Sequence, residues 1–172
     1  MIEDFAHRLT IGRIRDGERI DLIADEAERH AIAGRLDLAS LDRLEAHASL
    51  ALDGQRVRAT GRVAASLEQR CVVTGEPVVA HLDEAFDIAF IPEPRAGDEE
   101  IELRPEDCDT VFHDGAAIDL GGAIADTLAL ALNPYPRSAA AETTLREAGV
   151  LSEEEAGPFA ALAQLKKALG EC

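Results

Sequence analysis

Tryptophan is absent from this chain, and aromatics make up only 3% of a sequence that is 47% hydrophobic. The core must therefore be aliphatic, and 172 residues suffice to bury one without a metal or disulfide staple. Cysteine is scarce. Cys71, Cys108 and Cys172 are an odd number with no Cys-x-x-Cys pair, which argues against a disulfide framework and fits a reducing compartment. Five scattered histidines add no familiar zinc spacing, so neither a metal nor a cofactor is expected. No apolar run approaches the roughly 20 residues of a membrane-spanning helix. The opening MIEDFAHRLT has no basic stretch ahead of an apolar one, so no secretory leader is read there. The expected location is the cytoplasm.

Basic residues are half as many as acidic ones, 17 against 34, for a formal charge of −17. Such a chain repels free nucleic acid and anionic membrane at long range. A basic protein is the easier partner, although solubility alone explains the charge equally well. Catalytic signatures are missing too. There is no glycine-rich phosphate loop, no Gly-x-Ser-x-Gly and no His-Glu-x-x-His. Cys71, His81 and Asp83 fall in one predicted hairpin and have the types of a nucleophile, a base and an orienter. Strands carry such residues constantly, and the expectation is a non-enzyme with no small-molecule substrate.

What is present is period-two patterning with a few helical stripes. Residues 5–23 read as two short strands around the turn signal Asp16-Gly17, with Leu9, Ile11 and Ile14 apolar. Asp25 to Ala33 reads as a helix, acidic at its start and stopped by Gly34. From 45 to 92 the alternation predicts an antiparallel meander with one buried face. Ala48, Leu50 and Leu52 lead to a hairpin at Asp53-Gly54, and the return strand puts Val57, Ala59 and Val63 inward. A second hairpin is read at Cys71-Val72-Val73, Thr74 to Pro77, and Val78-Val79-Ala80, before Phe86, Ile88 and Phe90 on one face of a further strand. Residues 92–109 read as an acidic, mobile loop with a short strand at 101–103. Thr110-Val111-Phe112 reads as another strand, closed by Asp114-Gly115. Asp119 is a good N-cap for a helix over 120–132, with Leu120, Ile124, Leu128 and Leu132 as its core stripe and Asn133-Pro134 as its stop. The fold class is α+β, with the meander packed on this helix. Residues 1–136 form one domain, 137–157 a flexible linker, and 158–170 a C-terminal helix.

One surface feature stands out. Arg56, Arg58, Arg62 and Arg70 face a single acid, Glu68, over residues 54–70, a local net of +3. The first three share a strand face at successive spacings of roughly 6.6–6.8 Å, and a row of guanidinium groups can grip phosphates. These four are the candidate RNA-binding residues. The plainer reading, which we favour, is a solvated face pairing with acids such as Asp87. The opposite pole is 93–119, ten acids against two arginines, a net of −8 that either holds a basic protein or solvates a loop.

Three blocks carry a family resemblance. The first is Asp114-Gly115 with Ile118-Asp119-Leu120-Gly121, then Leu128 to Leu132 and Asn133-Pro134-Tyr135-Pro136. The second is Cys71-Val72-Val73-Thr74 before Glu76-Pro77-Val78, with Phe86 to Phe90 after it; the third is Pro158 to Leu162 with Leu165-Lys166. In order and spacing the chain resembles the YceD family, the large ribosomal RNA subunit accumulation proteins. The resemblance implies a role in ribosome biogenesis, with ribosomal RNA or a basic ribosomal protein as partner. It singles out Asp119, Leu120, Gly121, Pro134, Tyr135 and Pro136 as family-motif residues. Many members have Cys-x-x-Cys where this chain has Cys71-Val72-Val73-Thr74, and further cysteines near the C-terminus where 137–170 has none. A metal role in those members therefore does not carry over, nor does a carboxylate role near Ala125, where the family often has Glu. A generic acidic interaction module without a ribosomal role is the alternative.

Overall fold

The computed structural model describes residues 5–94 and 109–150. The strand read at 101–103 and the helix read at 158–170 lie outside the described residues. The described chain divides into two compact units. One takes the chain up to Gln69 together with Val79–Pro134; the other takes Arg70–Val78 and the chain from Tyr135 onward.

In the first unit, β2 (Glu18–Ile23), β3 (Ser40–Asp53), β4 (Arg56–Arg70), β5 (Pro77–Pro92) and β6 (Thr110–His113) form a sheet in that order, with the ends of β4 and β5 running into the second unit. A two-stranded sheet pairs β1 (Arg8–Thr10) with β7 (Ala117–Asp119). The helices are α1 (Glu26–Arg35), α2 (Leu120–Ala131) and, in the second unit, α3 (Ala141–Glu147). This is the expected α+β class.

Alternation sets the sheet's two faces. Val57, Ala59, Val63, Ala65 and Leu67 of β4 are buried, as are Leu44, Ala46, Ala48 and Leu50 of β3. Phe86, Ile88 and Phe90 of β5 join them, and the α2 stripe of Leu120, Ile124 and Leu128 completes the same core with Ile32 of α1. Gly54, at φ +62, makes the tight turn between Asp53 and Arg56, which pair across it. At its tip the Gln55 carbonyl accepts from His113, 2.9 Å from Nε2. Gly115 N–H donates to His113 Nδ1 at 3.0 Å, so the Nε2–H tautomer is the one that fits both bonds. This buried histidine ties the edge strand β6 to the β3–β4 hairpin.

Several elements differ from the sequence reading. Helix α1 runs through Gly34 to Arg35; the left-handed residue after it is Asp37, at φ 52. Asp25 caps its start in a reciprocal capping box with Glu28. Strand β4 continues unbroken to Arg70, so Cys71-Val72-Val73 opens the turn instead of forming a strand of its own. Ile11–Arg13 is a single 3-10 turn. Strand β6 pairs with β5 in parallel, with Val111 opposite Phe90. Helix α3 stands within 137–157, which the sequence reads as a linker without a regular element.

Candidate functional site

On the outer face of the sheet, the arginine row of β4 meets carboxylates of β5. Arg58 donates from Nε and an η nitrogen to the two oxygens of Asp87, at 2.6 and 2.5 Å. Arg62 donates to the Asp83 carboxylate at 2.9 Å and to its carbonyl at 3.2 Å. The hydrogen bond from Arg58 holds Asp87 below the ordinary aspartate range, and the hydrogen bond to Asp83 raises Arg62. Both pairs are solvent-exposed, so they fix geometry more than they add stability. Arg56 opens β4 opposite Asp53, and exposed Arg70 closes the strand in the second unit.

The row also extends toward β2. Register places Asp21 beside His47 and His47 beside Arg62, and His47 Nδ1 lies 2.7 Å from Asp21 Oδ1. Asp21, His47, Arg62 and Asp83 thus cross the sheet as one polar line. Arg43 and Glu45 form a further pair on β3. The face is a mixed-charge lattice, not a bare cationic strip.

The hairpin trio is not assembled. Cys71 Sγ accepts from the N–H groups of Thr74 (3.4 Å) and Ser138 (3.2 Å), His81 sits 3.2 Å from Ser66 Oγ, and Asp83 holds Arg62. Around Cys71 the second unit builds a small polar cage. Gly75, at φ +75, turns the chain, its N–H donating to the Cys71 carbonyl at 2.9 Å while Cys71 N–H donates to Glu76 at 2.8 Å. The Thr74 and Ser138 hydroxyls stand 3.1 Å apart, and Thr74 donates to Glu76 at 3.0 Å. Burial opposes ionisation of the Cys71 thiol, but the hydrogen bonds from Thr74 and Ser138 outweigh it and lower the thiol from 9.0 to about 6. One thiol beside two hydroxyls does not fit the four-ligand set of a structural zinc. Among the described residues no group of three or more His, Cys, Asp or Glu could hold a metal ion.

The motif residues have structural tasks. Asp119 caps α2 by accepting from Gly122 N–H at 3.0 Å, and Leu120 is fully buried. Gly121 lies against the backbone of Phe5 and His7, leaving no room for a Cβ. Gln69, buried at the end of β4, donates to the Asn133 carbonyl at 2.9 Å just before Pro134. In the second unit, Val72 N–H donates to Pro136 at 2.9 Å, and Tyr135 is 71% exposed. Sequence reasoning missed Thr74 and Ser138 as partners of Cys71: Ser138 is far along the chain, and Thr74 comes within reach only because Cys71 opens the turn instead of ending a strand. It also missed a groove in the first unit between α2, β5 and β6, where Leu130 is 85% exposed. Leu130 falls off the Leu120–Ile124–Leu128 stripe, and that was the available signal.

Fold and surface together define an α+β domain whose sheet carries a helix-covered core on one face and paired charges on the other. A family model described as large ribosomal RNA subunit accumulation protein YceD matches residues 59–166, and the chain belongs to this family. Its description assigns members to accumulation of large-subunit ribosomal RNA, and hence to ribosome biogenesis. No curated protein and no solved structure matches the chain. No helix among the described residues is long and apolar enough to cross a membrane.

Proposed function

We propose that this chain is a non-enzymatic, cytoplasmic accessory factor of ribosome biogenesis that promotes accumulation of large-subunit ribosomal RNA by holding a basic ribosomal protein. One observation carries the choice of partner: the central arginines of the clustered basic face are committed to carboxylates, Arg58 to Asp87 and Arg62 to Asp83. A phosphate would have to displace those acids and then sit beside them, on a chain of net −17. A basic protein meets the global charge without that cost. The non-enzymatic reading is supported by Cys71, His81 and Asp83 each being engaged elsewhere.

Direct RNA binding through Arg56, Arg58, Arg62 and Arg70 is the competing reading, favoured by the placement of the first three on one strand face. The purified chain is titrated with large-subunit ribosomal RNA and, separately, with proteins extracted from the large subunit. The expected outcome is capture of a basic ribosomal protein and no saturable RNA binding at physiological salt. Steeply salt-dependent RNA binding that disappears in an Arg58→Ala, Arg62→Ala variant would overturn the proposal in favour of RNA. A native chain that never sediments with ribosomal particles would leave only the generic module.

A further inference from the structure

Between α2 and the edge of the sheet lies a groove of about 480 Å3 contained in the first unit. Its apolar surface comes from Phe86 and Ile88 of β5, Val111 of β6 and Leu130 of α2. Leu130 is 85% exposed and Val111 38%, so two large aliphatic side chains face solvent beside the opening. The charged side chains lining it are Glu84, Asp109 and Asp126, and among the described residues no basic one does. Asp126 is held at 3.4 Å by Arg35, and both side chains keep solvent access. Strand β6 is the last in the sheet's order, so the groove runs along an edge.

Apolar floor and acidic rim together select the chemistry of an occupant. A neutral apolar ligand would leave Glu84 and Asp109 facing low-dielectric surface and bring no counter-charge beyond the Arg35 that already holds Asp126. An anion is repelled by them. We propose that the groove takes an amphipathic, lysine- or arginine-rich segment of a protein, its apolar side chains against Phe86 and Leu130 and its cations on Glu84, Asp109 and Asp126. This deepens the basic-ribosomal-protein reading and rests on it. It also assigns a task to Leu130, a large side chain that the core does not use.

The test uses the full chain in cells. A photoreactive amino acid is placed at Leu130 or at Val111, in the groove, and at Thr60, on the opposite face of the sheet. The expected result is that both groove positions crosslink to the same basic segment of a ribosomal protein, and Thr60 does not. That segment, made as a peptide, should bind the native chain and bind Leu130→Asp about tenfold more weakly, the loss of one anchor. Leu130 is mostly solvent-exposed, so this variant keeps the core, and an unchanged circular dichroism spectrum verifies it. Glu84→Lys should weaken the same peptide and flatten its salt dependence.

Crosslinks to a basic ribosomal protein from Thr60 alone would overturn the groove while leaving the proposed function standing. Crosslinks only to RNA would overturn both. Silence at both groove positions, capture of an acidic segment or a second copy of this chain, or full peptide affinity in Leu130→Asp would each overturn the groove.

Discussion

A Cβ at Gly121 would run into the Phe5 carbonyl oxygen and stand 2.8 Å from the His7 nitrogen. The obstacle is backbone, tied to α2 by the bond from Leu120 N–H to His7 at 3.1 Å, so it cannot rotate aside as a side chain would. Gly121→Ala should therefore cost roughly 1–3 kcal/mol or more, the range for forced overpacking, read as a lower urea midpoint. Gly34→Ala is the matched control. An added Cβ there meets nothing within 4 Å, and α1 should gain about 0.5–1 kcal/mol from the better helix former. Equal destabilisation at both positions would show that lost glycine flexibility, not the close approach, governs Gly121. The sequence marks Gly121 only as part of a repeated family pattern, because a close approach between segments so distant in the chain leaves no local trace. Asp119 differs. A short acceptor just before an apolar stripe announces a cap by itself, and its bond to Gly122 is in place.

Elements were legible where their signal is local. The alternation of Val57, Ala59 and Val63 and the four-residue spacing of Leu120, Ile124 and Leu128 each identify an inward face within one segment, and these side chains are buried. The Asp53-Gly54 hairpin announced the pairing of β3 with β4, but the partner of β6 was not legible. Strand β6 is too short to show which neighbour it takes, and a parallel partner requires a long connection, which the residues between Pro92 and Thr110 supply. In sequence the turn after β4 reads as beginning at Thr74, because Val72 and Val73 favour strands; Gly75 and the hydrogen bonds to Cys71 override that preference. This turn makes a prediction of its own. The Cys71 thiolate is favoured in the folded state, 9.0 falling to about 6, so its contribution is full above pH 9.0 and is lost as pH falls through about 6. In a background with Cys108 and Cys172 replaced by serine, the melting-temperature gap between Cys71 and Cys71→Ser should narrow steadily as pH is lowered across that window. A gap that stays constant would mean that the thiol is held by packing alone.

For the whole molecule, charge is the dominant property. A net −17 on 172 residues pushes the compact state apart, while the paired arginines of the sheet contribute little individually. Added sodium chloride, which shortens the Debye length from ~30 Å near 0.01 M to ~8 Å at 0.15 M, should therefore raise the melting temperature. A fall instead would mean that the Asp21–His47–Arg62–Asp83 line and its neighbours outweigh the net repulsion. The pairing of β1 with β7 has a consequence in time. Arg8–Thr10 leave the ribosome well before their partners Ala117–Asp119, which emerge only after the entire meander has been made. During synthesis the leading segment waits unpaired while the sheet assembles behind it, and closes onto the domain only when the start of α2 appears. The closing of this two-stranded sheet is thus set by a clock that runs at the speed of translation.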